Sequence, residues 1–354
     1  MHEENDEFYS YGRERTAMHP LRVSDDDLTI SVIIPVYNGG PNFRKCLASV
    51  KALLPPPIEV IVVGDGDTDG SSQFAQEFGV NVLRFSSPGG PARARNFGAS
   101  RAKGEIVFLV DADVTLPSDA IGRVAMAFKH EPHLAALFGS YDDDPGETNF
   151  LSQYRNLLHH YVHQNGREDA STFWGACGAI RREVFLAMGG FDEMYVKPSI
   201  EDIELGYRLK RAGYSIRLCR SLQVKHWKRW EVGSMLKADF FQRALPWTEL
   251  ILRDRNCIND LNTGMSGRAS VLLTFGLLCA LAVSPWHPPA LVVAGVMALA
   301  LLVLNSPLYL FFLKKRGVRF VLRVIPWHWL YFFYSGIGFS TGLVRHLIRR
   351  NASM

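Results

Sequence analysis

Two carboxylates, Asp111 and Asp113, stand one residue apart at the end of an apolar run, Ile106–Val110. The run predicts a buried strand of a parallel sheet, and ligands of open α/β sheets bind at the carboxyl ends of the strands. Two carboxylates this close repel each other unless a cation lies between them. Oxygen ligands suit Mn²⁺ or Mg²⁺, which often share substrate phosphates, so we predict a divalent-metal site. The alternative is that Asp113 caps a helix that follows the strand.

The elements that would position these carboxylates alternate along the chain. They are predicted in the order strand 29–36, helix 41–53, strand 58–63, strand 80–85, helix 91–102 and strand 106–110. This alternation indicates βαβ units, and therefore an α/β domain with a mostly parallel central sheet. No Walker loop and no Rossmann glycine fingerprint follows the first strand, which argues against a kinase and a dehydrogenase.

The loops after the predicted strands are polar and rich in glycine. They contain Tyr37 and Asn38 after the first strand, Asp65 after the second, and Arg93, Arg95 and Asn96 beyond the third. Glycines let a ligand approach the backbone, a carboxylate can accept a hydrogen bond from a base N–H, and arginines bind phosphate. Together with the two aspartates, these loops predict a site for a nucleoside diphosphate and a metal ion.

Size, charge and cysteine usage narrow the class of protein. The 354 residues are enough for one large catalytic domain and a smaller part, and the net charge of +4 is too small to suggest a nucleic-acid partner. The five cysteines lack C-x-x-C spacing, which argues against a disulfide framework and for a reducing compartment. Residues 1–28 are polar and acidic, and we predict that they form a disordered tail.

The composition becomes strongly apolar near residue 268. Three stretches without formal charge follow, at Ala269–Trp286, Ala290–Leu313 and Val324–Val344. A bilayer span needs about 20 apolar residues, so the second stretch qualifies clearly and the first only marginally. We therefore predict a transmembrane region over residues 268–347 with two to three helices. The alternative for the first two is a helix pair buried in a soluble core.

The third stretch fits either a span or a helix that lies in the membrane interface. Its aromatic residues and Pro326 suit an interfacial helix, and a span would place Arg345 on the outer side, against the positive-inside tendency. Gly338 and Gly342 are four residues apart, which predicts close packing against another helix. We favour a span by a small margin.

Basic residues predict the orientation of the chain in the membrane. Arg253, Arg255 and Arg268 precede the first predicted span, and Lys314, Lys315, Arg316 and Arg319 follow the second. The positive-inside tendency places both groups, and with them the catalytic domain, on the cytoplasmic side of an inner membrane. Residues 233–267 mix aromatic and basic side chains and are predicted to form an amphipathic interfacial linker, or else an ordinary linker helix.

Several motifs occur in a specific order over residues 29–230. They are Ser31–Asn38, Asp65–Ser71, Ala94–Asn96, Asp111–Asp113, Gly189–Asp192 and Ile200–Leu209. With these motifs the chain resembles glycosyltransferase family 2, whose members have the GT-A fold. The resemblance implies a GT-A nucleotide-sugar-binding domain over residues 29–232.

The resemblance also implies a role for each matching residue. Pro35, Tyr37 and Asp65 would form the wall of the base site, with Asp65 accepting the N3–H of uracil. Asp111 and Asp113 would hold Mn²⁺ or Mg²⁺ on the diphosphate, with His226 as a further ligand. Asp202, which follows Glu201, would be the general base for the acceptor hydroxyl. The nucleotide-binding set is then Pro35, Tyr37, Asn38, Asp65, Arg93, Arg95, Asn96 and Asp111.

Aromatic and small residues are predicted to contact the donor or the acceptor. Trp174 and Gly175 would form a flat wall near the donor sugar, and Trp227, Arg229 and Trp230 would lie beside it. The two tryptophans of the second group could instead pack beneath the domain at the membrane. A helix predicted at residues 150–164 carries three histidines, which line the acceptor cleft or, as the poorer alternative, hold a second zinc ion.

The segment Glu201–Ala212 is predicted to be a helix with the acidic pair in its first turn. The helix dipole favours ionised carboxylates there, although Glu201 and Asp202 could serve only as helix-terminal charges. One carboxylate base and a single displacement imply inversion at the anomeric carbon.

Two departures from the family pattern bear on the function. Gly64 replaces the first of two aspartates that the family often has, and His226 replaces the glutamine of the Gln-x-x-Arg-Trp motif of processive synthases. The sequence thus predicts inverting, metal-dependent transfer of a sugar, with UDP as the expected carrier, to a lipid or lipid-linked acceptor at the cytoplasmic membrane face. The alternatives are a processive polysaccharide synthase and a catalytically silent membrane scaffold of the same fold.

Overall fold

The computed structural model describes residues 28–254 and 264–352, with side chains as far as residue 348. The strands of this part of the chain form one eight-stranded sheet in the order β3-β2-β1-β4-β7-β6-β8-β5. The strands are β1 (Ile30–Val36), β2 (Glu59–Asp65), β3 (Asn81–Phe85), β4 (Ile106–Val110), β5 (Val114–Thr115), β6 (Leu134–Tyr141), β7 (Cys177–Arg181) and β8 (Ser215–His226). The predicted tail at residues 1–28 lies, except for Leu28, outside the described residues, as do residues 255–263 of the predicted interfacial linker.

The parallel arrangement predicted for the first four strands is confirmed. β1 pairs in parallel with β2 and β4, and β2 pairs in parallel with β3. The other half of the sheet is mixed, because β7 runs antiparallel to both β4 and β6, whereas β6 and β8 are parallel. The prediction of an α/β domain with a mostly parallel sheet is thus confirmed, with parallel pairing throughout β1 to β4 and antiparallel pairing where β7 and β5 join the sheet.

Both faces of the sheet are buried, which explains the unbroken apolar runs in the sequence. Along β1, Val32 and Ile34 pack in one apolar cluster, and Ile33 packs in a second cluster on the opposite face. β4 divides in the same way, with Phe108 on one face and Leu109 on the other. Helices cover each face, as expected where crossover connections join parallel strands.

Thirteen α-helices and one π-helical segment, Ala238–Ala244, occur in the described residues. The helices of the sheet-containing domain are α1 (Gly40–Lys51), α2 (Ser71–Glu77), α3 (Pro91–Arg101), α4 (Ala120–His130), α5 (Phe150–Asn165), α6 (Arg182–Ala187) and α7 (Glu201–Arg211). Those that follow are α8 (Val232–Lys237), α9 (Leu245–Asp254), α10 (Met265–Val283), α11 (Ala290–Leu304), α12 (Ser306–Arg316) and α13 (Val318–Ala352). The helices predicted at residues 150–164 and 201–212 are confirmed as α5 and α7.

The predicted spans are only partly reproduced. Within the described residues α10 is the one helix long and apolar enough to cross a membrane by itself. The stretch Ala290–Leu313, predicted as the clearest span, is not one straight helix: it breaks at Asn305 into α11 and α12, which are bent by 61°. Pro307 causes this break, since a proline lacks the N–H that a continuous helix needs and is tolerated in a first turn. The bent pair counts as a second span only if both helices together cross one membrane.

The close packing predicted for Gly338 and Gly342 is confirmed, and its partner is the segment before α10. A Cβ atom on Gly338 would lie 2.6 Å from Ala244, and one on Gly342 would lie 2.7 Å from Thr248. α13 therefore packs against the π-helical segment and α9 with almost no space between the backbones. The helix contains Pro326 and does not meet the criteria for a span that α10 meets.

A buried ion pair joins α5 to the segment that leads into the C-terminal helices. Arg155 lies 2.6 Å from Asp239, and the hydroxyl of Tyr334 on α13 donates to the same carboxylate at 2.7 Å. Asp239 is buried, so its charge depends on these partners. This polar contact and an apolar cluster around Tyr154 and Phe312 both join the sheet-containing domain to the C-terminal helices.

Candidate active site

Asp111 and Asp113 lie in the turn that follows β4. The backbone of this turn is fixed, because Asp111 N–H donates to the carbonyl of Ala176 at 3.1 Å and Trp227 N–H donates to that of Asp113 at 2.9 Å. Val114 then pairs with His226 in the antiparallel ladder of β5 and β8. A short strand, and not a helix, follows the two carboxylates, so the helix-cap alternative for Asp113 is excluded.

The pairing of β5 with β8 brings His226 to Asp113. His226 Nε2 lies 3.5 Å from Asp113 Oδ2. Burial raises the pKa of Asp113, but the nearby imidazole of His226 and the charge of Lys228 outweigh this effect and lower that pKa below its ordinary value. His226 and Lys228 thus favour the ionised form of the Asp113 carboxylate.

Asp202 is held at the start of α7 by two backbone donors. Gly175 N–H donates to Oδ2 at 3.2 Å, and Ile203 N–H donates to Oδ1 at 2.8 Å. Burial and the adjacent charge of Glu201 nevertheless raise the pKa of Asp202 to about 7. A carboxylate with this pKa is half protonated near neutral pH and is matched to accept a proton.

Glu201 and Arg95 form a buried pair beside Asp202. Arg95, which is 5% exposed, contacts Glu201 Oε1 through one nitrogen at 2.9 Å and Asp111 Oδ1 through another at 2.6 Å. Burial lowers the pKa of Arg95, but the charges of Asp111 and Glu201 outweigh it and raise that pKa. The sequence predicts that this guanidinium binds the nucleotide. In the structure it is paired with two carboxylates of the site.

Asp65 lies at the end of β2 and is 5% exposed. It accepts hydrogen bonds from the N–H groups of Gly89, at 2.9 Å, and Gly90, at 2.7 Å, and from Arg93 at 3.0 Å. The guanidinium of Arg93 also lies 3.9 Å from the ring centre of Phe85. In this arrangement Asp65 holds the loop before α3. A hydrogen bond from a uracil ring would be additional to the bonds from Gly89, Gly90 and Arg93.

Three further residues are predicted to bind the nucleotide. Tyr37 has an exposed ring, whereas the side chains of Asn38 and Asn96 hold loops. Tyr37 is 57% exposed and follows Pro35 at the end of β1. Asn38 has a φ of 51° and accepts the N–H of Thr68 at 2.8 Å, which ties the first loop to the second. Asn96 exchanges hydrogen bonds with the backbone of Phe191, at 2.8 and 2.9 Å. Its amide thus holds that loop, and its role as a nucleotide ligand stays a prediction.

An aromatic cluster, consisting of Tyr141, His159, Trp174 and His226, lies next to Asp113. Tyr141 stacks on His226 with ring centres 4.2 Å apart and an interplanar angle of 8°. Trp174 meets Tyr141 edge-on at 4.8 Å and His159 at 4.9 Å. Tyr141 ends β6, so the rule that ligands bind at the carboxyl ends of strands could have found it.

The histidines of α5 do not form a second metal site. Nδ1 of His160 lies 2.8 Å from the carbonyl of Tyr141, and Nδ1 of His163 lies 3.1 Å from that of Gly139. Burial and the neighbouring His163 lower the pKa of His159 well below its ordinary value, so it remains neutral. In the described residues no group of three or more His, Cys, Asp or Glu side chains is arranged to hold a metal ion.

The residues after β8 differ in their exposure. Trp227 packs against Lys45, whose amine lies 3.4 Å from the ring centre. Arg229 is exposed and lies 3.4 Å from Glu147. Trp230 is 5% exposed and packs with α5, α8, α12 and α13. Its backbone N–H donates to the hydroxyl of Ser152 at 2.7 Å. This burial favours the packing alternative for Trp230, and its ligand contact stays a prediction.

Two donors near the end of β4, Asp113 and His226, are close enough to share a divalent cation, and the described residues place no third His, Cys, Asp or Glu side chain with them in a metal-binding arrangement. Two ligand atoms, each about 2.1 Å from a cation and at a right angle, lie about 3 Å apart, which is near the gap between Asp113 and His226. Oδ1 of Asp111 accepts a hydrogen bond from Arg95, and the place of Asp111 among the metal ligands stays a prediction. Mg²⁺ and Mn²⁺ are commonly bound by one or two carboxylates together with substrate phosphates, so this incomplete protein ligand set suits them.

The mixed sheet with helices on both faces is typical of the GT-A fold. Residues 31–189 match the sequence model of "Glycosyl transferase family 2". The chain is 32% identical to Glycosyltransferase GlyG of Streptococcus pneumoniae over 34% of this chain and 42% of that protein. It is 28% identical to the UDP-forming cellulose synthase catalytic subunit of Komagataeibacter sucrofermentans over 60% of this chain and 30% of that protein. The chain thus spans less than half of each relative's own length.

A solved structure, Mannosyltransferase PcManGT from Pyrobaculum calidifontis in complex with GDP-Man and Mn²⁺, aligns over most of both chains. It shares 18% of its residues with this protein, covers 91% of this chain and 90% of that one, and has a TM-score of 0.49.

Proposed function

We propose that the chain, whose residues 31–189 match the model of glycosyltransferase family 2, is a member of this family and that the whole protein transfers a sugar from a nucleoside diphosphate sugar, UDP-linked, to a hydroxyl group. The acceptor is a lipid or a lipid-linked glycan at the cytoplasmic face of an inner membrane. The observation that carries this proposal is geometric: Arg95 joins Asp111, at the end of β4, to Glu201. The next residue, Asp202, is held by the N–H groups of Gly175 and Ile203.

Asp202 is the base of the reaction. It takes the proton of the acceptor hydroxyl as that oxygen forms a bond to the anomeric carbon. The bond between this carbon and the diphosphate oxygen breaks, and its electron pair leaves with the nucleoside diphosphate. Because the acceptor attacks opposite the leaving group in a single displacement, the configuration at the anomeric carbon is inverted.

The leaving diphosphate gains negative charge, and this charge must be stabilised. Mn²⁺ or Mg²⁺ bound by Asp111, Asp113 and His226 would supply electrophilic stabilisation there. Arg93 is the partly exposed cation at the start of α3, and it donates to Asp65 and to the carbonyl of Ser87 in the preceding loop. It can bind phosphate while it keeps its contact with Asp65.

The exposed ring of Tyr37 provides a surface on which a uracil ring can stack. Pro35 lies in the ladder at the end of β1, next to β2, and completes the wall of this surface. The second face of the site, formed by Trp174 and Tyr141, is apolar and aromatic, which suits the faces of a sugar ring.

A lipid acceptor is supported by the attachment of the catalytic domain to apolar helices. Lys315 and Arg316 at the end of α12 contact Asp143, which follows two residues after Tyr141. Tyr141 of the aromatic cluster is therefore only two residues along the chain from Asp143, which contacts the end of α12. This helix has an exposed apolar surface at Leu310 and Leu313. A hydroxyl or phosphate at the head of a membrane lipid can reach a site in this position.

The proposal is tested by incubating the purified full-length protein with Mn²⁺, a panel of nucleotide sugars and a membrane lipid extract. Products are identified by mass spectrometry, and the anomeric configuration is read by NMR. We expect one nucleotide sugar to be consumed, with inversion, and Asp202→Asn to abolish the product. The matched control is Asp169→Asn, since Asp169 is an exposed carboxylate that pairs with Lys210. No consumption of any nucleotide sugar by the wild-type protein would refute the proposal.

A processive synthase is the second candidate, because the chain aligns with a cellulose synthase catalytic subunit over 60% of its length. The product of the same incubation distinguishes the two. A single added sugar supports a simple transferase, whereas a ladder of products that differ by one sugar supports a synthase.

A further inference from the structure

Arg95 is the one described arginine that touches carboxylates on two different sides of the site. We propose that Arg95 is a positioning residue, which fixes Asp111 and the first turn of α7 relative to each other and acts through them on the transfer reaction. This inference rests on the proposed function, since it assigns Asp111 to the diphosphate and Asp202 to the acceptor proton.

Three separate segments of the chain meet at this guanidinium. It belongs to α3, its contact with Asp111 crosses 16 positions of the sequence, and its contact with Glu201 crosses 106. Both contacts are shorter than 3.0 Å and both use terminal nitrogens, so the planar group fits between the carboxylates as a fork. A lysine, with a single ammonium, could not hold both in this geometry.

The surroundings of Arg95 are built to keep it in place. Its guanidinium carbon lies 5.4 Å from the ring centre of Phe191, whose backbone Asn96 holds. On another side, a Cβ atom on Gly175 would lie 3.2 Å from that carbon, so glycine leaves the necessary room. The N–H of the same glycine binds Asp202, and thus one residue touches both the positioning group and the base.

Besides holding two carboxylates in position, Arg95 provides a positive charge beside Glu201 and Asp202. Glu201 and Asp202 are adjacent carboxylates, and Glu201 is buried. Without a cation the two would repel each other and one would bind a proton. The charged and titratable groups around Asp202 are Glu201 on its own helix, Arg95 on α3 and Tyr141 on β6. Of these, Arg95 is the cation, and its charge favours the ionised form of Asp202.

A contact between Arg95 and the diphosphate, which the sequence predicted, would have a different signature. An arginine that binds the ground state contributes to substrate affinity, and its loss raises KM. A positioning residue acts on the reacting groups, and its loss lowers kcat with little change in KM. A displacement of about 1 Å at the reacting groups can cost about 100-fold in rate.

The test compares Arg95→Gln and Arg95→Lys with a control, Arg181→Gln. Arg181 is as buried as Arg95, but it donates to the carbonyls of Leu134 and Pro132, away from the site. We expect Arg95→Gln to lower kcat by about 100-fold and to leave KM for the nucleotide sugar within about threefold. The acidic limb of its pH profile should move to higher pH, because the ionised form of Asp202 has lost a stabilising charge. Arg95→Lys should restore the position of that limb but not the full kcat, and Arg181→Gln should change neither.

A second measurement requires no substrate. In Arg95→Gln, the buried carboxylate of Glu201 loses its cation. A buried carboxylate without a partner costs the most stability when it carries its charge, so the deficit in melting temperature should be larger at pH 8 than at pH 5. The double variant Arg95→Gln/Glu201→Gln should recover part of the deficit at pH 8.

The outcomes separate this inference from the proposed function. A raised KM with unchanged kcat in Arg95→Gln would show that Arg95 binds the diphosphate and would overturn the inference. So would a melting deficit that does not depend on pH and matches that of Arg181→Gln. If the wild-type protein transfers no sugar, the proposed function fails, and the melting series still decides whether Arg95 neutralises Glu201.

Discussion

Asp202 should give the wild-type enzyme a pH dependence that an ordinary aspartate would not. Burial and the charge of Glu201 raise the pKa of Asp202 to about 7, and only the ionised form can take the acceptor proton. For a pKa of about 7, the ionised fraction is about one tenth at pH 6 and about nine tenths at pH 8. We therefore expect kcat/KM to rise about tenfold between pH 6 and pH 8.

The assay is the initial rate of nucleoside diphosphate release at low substrate concentration, in a buffer series of constant ionic strength. Asp202→Asn should lower kcat by at least about 100-fold at every pH, since general-base catalysis contributes 10²–10⁴-fold. The residual rate should no longer depend on pH across this interval. Asp169→Asn, with an exposed carboxylate, should keep both the rate and the profile of the wild-type protein.

Folding stability should change in the opposite direction. Because the folded-state pKa of Asp202 lies above the unfolded value of about 3.9, its ionisation costs stability as the pH rises through 7. Asp202→Asn should therefore be relatively more stable at pH 8 than at pH 6, compared with the wild-type protein. A flat rate profile between pH 6 and pH 8, or a wild-type kcat in Asp202→Asn, would refute the assignment of Asp202 as the base.

Three further predictions concern the metal site, the junction with the C-terminal helices, and Trp230. Asp113→Asn and His226→Ala should each weaken Mn²⁺ binding in the presence of UDP by at least about tenfold, measured by calorimetry, because each removes a ligand atom. Asp239→Asn should lower the free energy of unfolding by about 3 kcal/mol or more, since Arg155 is left buried without its partner; thermal unfolding in detergent measures this. Trp230→Ala should lower it by about 3–5 kcal/mol without raising KM for the nucleotide sugar, because the ring packs against helices and does not face the substrate.

Each of these has a control in the same chain. Asp119→Asn removes an exposed carboxylate that pairs with Arg123 and should leave Mn²⁺ affinity unchanged. The double variant Arg155→Met/Asp239→Asn should be more stable than Asp239→Asn alone, and equal stability would contradict a coupled pair. A KM that rises in Trp230→Ala at unchanged stability would restore the ligand contact for this ring.

The elements with the strongest sequence patterns were predicted well, for physical reasons. β1 and β4 are buried on both faces, so their residues form continuous apolar runs that are easy to recognise. α5 and α7 have clear beginnings and were predicted to within one residue at each end. In contrast, the sequence predicts no helix at α2, because Ser71 and Ser72 are typical loop residues. In the structure their backbone N–H groups donate to the side chains of Asp69 and Asp67, and these bonds hold the start of the helix.

The broken helix at Asn305 shows where composition misleads. The residues of Ala290–Leu313 are apolar throughout, and a count of apolar residues predicts one span. The backbone chemistry of a single proline, Pro307, overrides that count. The first stretch, marginal by composition, is the one that forms a continuous helix.

The sequence by itself determined which residue types meet at the site, since each acidic or polar loop follows a strand and the strands of a parallel sheet end at one edge. Through the family motifs, it also indicated which residues to expect at the nucleotide, the metal and the acceptor. Only the tertiary structure decided the partners. Asn96 and Arg95 are neighbours in the sequence and both polar, yet one holds the backbone of Phe191 and the other joins Asp111 to Glu201. Such partners come from segments up to 106 positions away, and a local sequence pattern carries no information about contacts at that distance.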